Sequence, residues 1–103
     1  MSVSWDLGKD LDVLIEENVF GRKPSGKLPP YSMDPSWVPI LVQQMGSLGW
    51  GYQAQQFRDD ANGRLRWRVW FARRGTIVRL EADTKPLAVC GAALEALSGA
   101  EDP

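Results

Sequence analysis

The chain has 103 residues, is 44% hydrophobic and 24% charged, and carries a formal net charge of −1. A chain of this length is expected to form a single domain, residues 1–103, and a charge so near zero excludes bulk attraction to nucleic acid or membranes as the basis of its function. Histidine is absent and Cys90 is the one cysteine, which excludes an internal disulfide, a cysteine-rich zinc site and the commonest general base. No apolar run has the length of a signal peptide or membrane span, so we expect a cytoplasmic protein without metal or cofactor.

The first predicted helix spans residues 7–20. Its apolar residues recur at the three- and four-residue spacing of one helical stripe, namely Leu11, Leu14, Ile15 and Val19. Its acidic residues fall outside this stripe and are predicted to face elsewhere, namely Asp10, Asp12, Glu16 and Glu17. Gly21 follows, where a helix commonly ends in the left-handed conformation that glycine adopts without strain. Residues 21–35 contain several prolines and are predicted to form a loop.

The second predicted helix spans residues 36–48. Its apolar face comprises Trp37, Ile40, Leu41, Met45 and Leu48. Asp34 and Ser36 compete as the residue that caps its N-terminus. Ser36 is favoured, because it places Pro39 in the first turn, where the missing N–H costs nothing.

Residues 50–82 are predicted to form a three-stranded antiparallel meander. The turns fall at Asn62-Gly63 and Arg74-Gly75, and residues 50–58 are the weakest strand candidate. In the second strand, alternation directs Leu65, Trp67, Val69 and Phe71 inward and Arg64, Arg66, Arg68 and Trp70 outward. In the third strand, Val78, Leu80 and Ala82 face inward and Arg79 and Glu81 outward.

A last helix is predicted over residues 84–97, with Asp83 and Thr84 available to cap it. Its packing face comprises Leu87, Cys90, Gly91, Leu94 and Leu97. The element order is therefore α-α-β-β-β-α. Amphipathic helices and a sheet with one apolar face bury those surfaces against each other, so the order predicts a layered α+β domain.

The order of several sequence blocks resembles a family of small phage and prophage proteins, the phage ABA-sandwich domain proteins. The blocks are LDVLIEENVFG (11–21), PPYSMD (29–34), GW (49–50), WRVWF (67–71) and EADTKPLAVCGAALEAL (81–97). The resemblance implies an alpha-beta-alpha layered sandwich and a phage origin, and it implies no catalytic residues. Pro35 and Pro39 depart from the plain helix start of the family, and Lys23 and Lys27 depart from its connector.

Residues 21–27, GRKPSGK, have the spacing of a phosphate-binding loop. That loop follows a buried strand, ends in Ser or Thr and opens into a helix. Here a helix is predicted before it, Leu28 replaces the hydroxyl residue, and Pro29-Pro30 prevents an immediate helix. The sequence therefore favours a basic connector over a nucleotide site.

The candidate binding site is the outward face of the sheet. Six of the twelve basic residues lie between positions 64 and 79, and no acid interrupts that segment. The predicted site comprises Arg64, Arg66, Arg68, Trp70 and Arg79. Guanidinium groups suit carboxylates or phosphates, and an indole ring stacks on a base or an arginine. Two structural alternatives stay open: a solvated face, or pairing of these arginines with the acidic residues of the first helix.

No other residues form a convincing site. Asp59-Asp60 suits turn chemistry better than metal binding, and Cys90 lies on an apolar helix face, where a thiol is inert. Trp37 and Trp67 are predicted to pack in the core, whereas Trp5 either packs against the first helix or is exposed. No nucleophile and base are placed together, so we expect a protein without enzymatic activity.

These observations favour a phage or prophage accessory protein that acts in the cytoplasm of the bacterial host by binding a host or phage protein. Inhibition of a bacterial defence system is one form of that function, suggested by analogy alone. The alternative is binding of nucleic acid or a nucleotide-type ligand by the arginine and tryptophan face. A monomer and a homodimer are both compatible with a sheet that has two edges.

Overall fold

The computed structural model of the protein describes residues 9–23 and 28–99. Its elements are α1 (Lys9–Asn18), a 3-10 turn (Pro35–Trp37), α2 (Val38–Ser47), β1 (Gly51–Arg58), β2 (Leu65–Arg73), β3 (Thr76–Ala82) and α3 (Lys85–Gly99). The α+β class and the predicted element order are confirmed. The predicted helix start at residue 7, the position of Trp5 and residues 24–27 of the connector lie outside the described residues.

The entry into α2 differs from the prediction that Ser36 caps it. Asp34 caps the 3-10 turn that precedes α2: its Oδ1 accepts hydrogen bonds from the backbone N–H of Ser36 at 3.0 Å and from the Ser36 hydroxyl at 2.8 Å. The N-cap position of α2 itself is Trp37, which makes no side-chain capping hydrogen bond. Pro35 begins a 3-10 turn, which closes when the Val38 N–H donates to the Pro35 carbonyl. Pro39 then lies in the first turn of α2, where no intrahelical donor is required.

The sheet has the order β1-β2-β3, and both connections are antiparallel hairpins. Gly63 closes the first hairpin with a φ of 71°, after a turn in which the Asp59 side chain accepts from the Ala61 N–H. The second hairpin turns through Arg74 and Gly75, whose φ values of 50° and 84° are both positive. Two positive φ values match the twist of the flanking strands, so the turn is favourable although Arg74 itself is strained there.

The two faces of the sheet have different environments. The inner face carries Tyr52, Ala54, Trp67, Val69, Phe71, Val78, Leu80 and Ala82. Val69 and Phe71, at its centre, are fully buried. The outer face carries Gln53, Gln55, Phe57, Arg66, Arg68, Trp70, Ala72, Ile77, Arg79 and Glu81, and its residues are exposed or half-buried. The alternation of side chains predicted for the second and third strands is confirmed, except that Leu65, at the start of β2, is 52% exposed.

Helix α3 is the central layer of the fold. It packs against β2 and β3 on one side, and α1 and α2 contact it on another. Its buried residues include Ala88, Val89, Cys90, Gly91, Ala92, Ala93, Leu94 and Ala96. The layers therefore run sheet, α3, α1. Within residues 9–23 and 28–99 no helix covers the outer face of the sheet, so the sheet is an outer layer there and does not lie between two layers of helices.

Small residues let α3 approach the sheet closely. A Cβ atom placed on Gly91 would lie 3.1 Å and 3.2 Å from the two Cδ atoms of Leu80 on β3. Leu80 thus occupies the space that a side chain at position 91 would need. In the described part of the chain, none of the helices is long and apolar enough to cross a membrane.

Candidate functional site

The structure brings most of the predicted site residues together on the outer face. Arg66, Arg68 and Trp70 project from β2, and Arg79 of β3 lies directly opposite Trp70 in the register. Arg64 precedes β2 and belongs to the rim of the face. The candidate site is therefore an open surface, with no helix of the described residues lying over it.

Carboxylates of β3 and of the residues that directly follow β1 and β3 pair with three of these arginines. Arg68 Nε lies 2.6 Å from Glu81 Oε2, across the β2–β3 pair. Arg66 contacts Asp83 at 3.2 Å and Asp59 at 3.7 Å. Arg64 contacts Asp83 at 3.6 Å. Such partly exposed ion pairs contribute little stability, but they cancel most of the positive charge of the face.

The alternative in which acids of the first helix pair with these arginines is wrong for the acids whose side chains the structure describes. Glu16 pairs with Arg22 at 3.1 Å, Glu17 is exposed, and Asp12 is buried against the connector. The physical reason is the order of the layers: α3 separates α1 from the sheet, so a carboxylate on α1 cannot reach the outer face.

Arg68 links the charged and aromatic parts of the outer face. Its Cζ atom lies 4.3 Å from the ring centroid of Phe57 and 5.9 Å from that of Trp70. With Glu81 fixing its Nε, the guanidinium is held over two aromatic rings. Cation–π contacts of this kind stabilise a guanidinium that is partly removed from water. Arg68 is therefore held by Glu81 and Phe57 and has little freedom to move toward a separate anion.

The opposite end of the outer face is apolar. Ile77 is 69% exposed and pairs in the register with Ala72, which in turn pairs with Gly51. The next row consists of Gln53, Trp70 and Arg79. We call the residues of these two rows the outer-face patch: Gly51, Gln53, Trp70, Ala72, Ile77 and Arg79. Ile77 was not among the predicted site residues, although the alternation that directed Arg79 and Glu81 outward also applies to it.

A second polar cluster, missed entirely by the sequence analysis, joins the connector to α1. Tyr31 is fully buried, and its hydroxyl donates to Glu16 Oε1 at 2.5 Å. Arg22 donates to the same carboxylate oxygen at 3.1 Å and to the Tyr31 hydroxyl at 3.3 Å. Buried Asp12 accepts the backbone N–H of Ser32 at 2.9 Å. These contacts attach the Pro-Pro-Tyr-Ser segment to the protein, so their role is structural.

This cluster predicts a pH dependence of stability at alkaline pH. Burial, and then the hydrogen bond to Glu16, raise the pKa of Tyr31 from 10.0 to about 12. A raised pKa favours the neutral phenol in the folded state, so this contribution is fully present below pH 10 and is lost as the pH rises through about 12. Chemical unfolding at several alkaline pH values should show a steeper loss of stability for the wild type than for Tyr31→Phe. Equal slopes would contradict the prediction.

The remaining candidate chemical groups do not form a site. Cys90 is buried in α3, and burial, with the negative charge of Asp12 as a second cause, raises the pKa of its thiol. A buried neutral thiol is a poor nucleophile. Nowhere in residues 9–23 and 28–99 do three metal-ligating side chains cluster. Gly26 and Lys27, which end the segment with the spacing of a phosphate-binding loop, lie outside the described residues.

The fold is shared with a phage protein of known structure. The crystal structure of a phage protein from Bacillus cereus ATCC 14579 matches this chain with a TM-score of 0.61. The two chains are 20% identical, and the alignment covers 91% of this chain and 97% of the other. No protein-family model and no curated protein matches the chain. At this identity the likeness shows a common fold, and the roles of individual residues rest on the geometry described above.

Proposed function

We propose that this chain is a phage or prophage accessory protein of the ABA-sandwich domain family, without enzymatic activity, that binds another protein through the outer-face patch. The observation that carries the proposal is the open face of the sheet, where Trp70 and the 69%-exposed Ile77 lie in neighbouring rows of the same face. The shared fold with a phage protein and the order of sequence blocks support the phage origin.

The composition of the patch favours a protein partner. Trp70 and Ile77 supply apolar area, Gln53 supplies an amide, and Arg79 supplies a guanidinium that has no ion-pair partner among the described residues. Tryptophan and arginine are enriched among the residues that dominate the binding energy of protein interfaces. A carboxylate of the partner would pair with Arg79 while an apolar side chain covers Trp70 and Ile77.

The same charges argue against a polyanion as the partner. Three of the four arginines on and beside the face already contact Asp59, Glu81 or Asp83. Nucleic-acid binding depends on unpaired cations that displace counterions from phosphates. Nucleic-acid binding stays the alternative function and is the less favoured one. The cytoplasmic location and the inhibition of a defence system stay predictions, since no contact in the structure bears on either.

The proposal is tested by capturing the partner from lysates of the bacterial host during phage infection. Ile77→Thr, Trp70→Thr and their double variant are compared with Met33→Thr as a matched control. Met33 is 67% exposed, close to the 69% of Ile77, but lies on the connector, away from the sheet. We expect the double variant to lose about tenfold or more of its affinity for the captured protein, and Met33→Thr to bind as the wild type does.

The alternative is distinguished by salt. If the face binds nucleic acid, retention on single- or double-stranded DNA falls linearly with the logarithm of the salt concentration, and Arg79→Gln reduces the slope. Undiminished capture by the double variant, or steep salt-dependent retention of the wild type on DNA, would overturn the proposal of a protein partner on the outer-face patch.

A further inference from the structure

The edge of the sheet at β1 has backbone groups without partners in the described residues. In an antiparallel pair, hydrogen-bonded and non-hydrogen-bonded residues alternate along each strand. The Asp59 N–H donates to the Arg64 carbonyl, which makes that pair a hydrogen-bonded one. Counting back along the register, the residues of β1 whose N–H and C=O groups point away from β2 are Tyr52, Ala54, Gln56 and Arg58.

The two edges of the sheet are protected differently. By the same alternation, the residues of β3 whose backbone N–H and C=O groups point away from β2 are Ile77, Arg79 and Glu81. Two of these three residues are charged. Along β1, residues 51–57 contain no charge and no proline, and Arg58, at the end of the strand, is the one charged residue among the four whose backbone groups point away from β2. Charges and prolines on an edge strand are the usual protection against pairing with another chain. From Tyr52 to Gln56 the β1 edge therefore lacks the charges that protect the β3 edge.

Solvent reaches the middle of the β1 edge from both faces. Gln55 is exposed on the outer face and Gln56 is exposed on the inner face. A strand that approaches this edge would meet glutamine side chains. Their amide groups can hydrogen-bond to one another across paired strands, and because they are uncharged, no charge has to be removed from water. An antiparallel copy of the same strand presents the same groups in reverse order, so the edge is complementary to itself.

We propose that β1 pairs antiparallel with β1 of a second copy of this chain, which joins the two sheets into one of six strands. In one register, all four β1 residues whose backbone groups point away from β2 form hydrogen bonds with the second copy. This register places Gln55 on the two-fold axis. It pairs Ala54 with Gln56 of the second copy and Tyr52 with Arg58, so an arginine meets an aromatic ring and no like charges meet. This inference does not depend on the proposed function of the outer-face patch.

Such a dimer is weak and reversible. Two paired strands of eight residues bury less surface than a standard protein complex, which indicates a dissociation constant of roughly micromolar or weaker. The dimer places two outer faces side by side on one continuous sheet. A partner with two equivalent sites would then be held more tightly than by one copy.

Cysteine cross-linking tests the register directly. At the axis, the two copies of residue 55 form a non-hydrogen-bonded pair with Cα atoms about 4.5 Å apart, which permits a disulfide. Gln53→Cys is the matched control, because it is on the same strand and face but its two copies lie about 13 Å apart in this register. Under mild oxidation we expect Gln55→Cys to form a covalent dimer at least about tenfold faster than Gln53→Cys. Cys90 is buried and therefore does not compete in the cross-linking, so it is kept in both variants.

A second variant tests the role of the edge backbone. Ala54→Pro removes an N–H that points away from β2, so it breaks no bond within the chain while blocking the dimer. Sedimentation equilibrium should show a concentration-dependent dimer for the wild type and a monomer for Ala54→Pro. Gln55→Lys, which sets two lysines against each other at the axis, should also be monomeric and covers the case in which the proline variant fails to fold.

Three results would overturn the inference. They are a wild type that is monomeric at about millimolar concentration, equal cross-linking rates at positions 53 and 55, and a dimer that persists in Gln55→Lys.

Discussion

Replacing Tyr31 with alanine should lower the free energy of unfolding by about 3–5 kcal/mol, the usual cost of removing a large aromatic side chain from a core. Tyr31 is fully buried and stacks on Phe20 with ring centroids 5.3 Å apart. Its ring also meets the edge of Trp37 at 5.2 Å. The side chain thus joins α1, the connector and the start of α2. Urea unfolding monitored by tryptophan fluorescence measures the change.

Two controls separate packing from hydrogen bonding at this position. Tyr31→Phe keeps the ring and removes the hydroxyl that donates to Glu16, so it should cost only about 1 kcal/mol. Met33→Ala changes an exposed side chain of the same segment and should stay within about 0.5 kcal/mol of the wild type. A loss of less than about 1 kcal/mol for Tyr31→Ala would mean that the connector does not pack on α1 in solution.

Gly91→Val should destabilise the protein by about 2–3 kcal/mol, because it forces a branched side chain into the contact between α3 and β3. The first added carbon would already lie 3.1 Å from a Cδ atom of Leu80, closer than ordinary van der Waals contact. The helix must then move away from the sheet, or Leu80 must leave its position. Thermal and urea unfolding measure the effect.

The alanine variant provides the internal comparison for Gly91. Alanine is favoured over glycine inside a helix by about 1 kcal/mol, which opposes the crowding by Leu80. Gly91→Ala should therefore be close to neutral, and it should become stabilising when Leu80→Val removes part of the crowding. A non-additive double variant would demonstrate the contact, whereas strict additivity would contradict it.

The sheet was predictable because its sequence alternates. Val69 and Phe71 are buried and Trp70 is not, as the period of two in β2 requires. The same pattern placed Arg66, Arg68 and Arg79 on one face. It also placed Glu81 on that face. It did not predict the contacts of Asp59 and Asp83 with the arginines, because these two acids lie outside the strands, in the first hairpin loop and directly after β3.

The attachment of the connector to α1 was not predictable from the sequence. Asp12 and Glu16 lie off the apolar stripe of α1, which by helical periodicity alone predicts exposure. They are covered because the connector packs on α1: Ser32, 20 residues after Asp12, contacts Asp12, and Tyr31, 15 residues after Glu16, contacts Glu16. A pattern within one element carries no information on such a contact between two separate segments.

The sequence of α3 indicates that the helix is buried on most sides, which is more than the single packing face that was predicted. Between Pro86 and Leu97 the helix carries a single charge, Glu95, and helices that are apolar on nearly every side are buried on nearly every side. The spacing of its largest apolar residues predicts only one packing face for it. The structure buries it between the sheet and α1, which is why the outer face of the sheet is left open.

The central position of α3 also constrains when the protein can fold during its synthesis. Every layer that α3 joins precedes it in the chain: α1 and α2 on one side, β2 and β3 on the other. The ribosome therefore releases α1, α2 and the hairpins before the helix that buries their apolar faces exists. Until α3 emerges, the nascent chain exposes those faces together with an unprotected β1 edge, so this is the interval in which aggregation competes most strongly with folding.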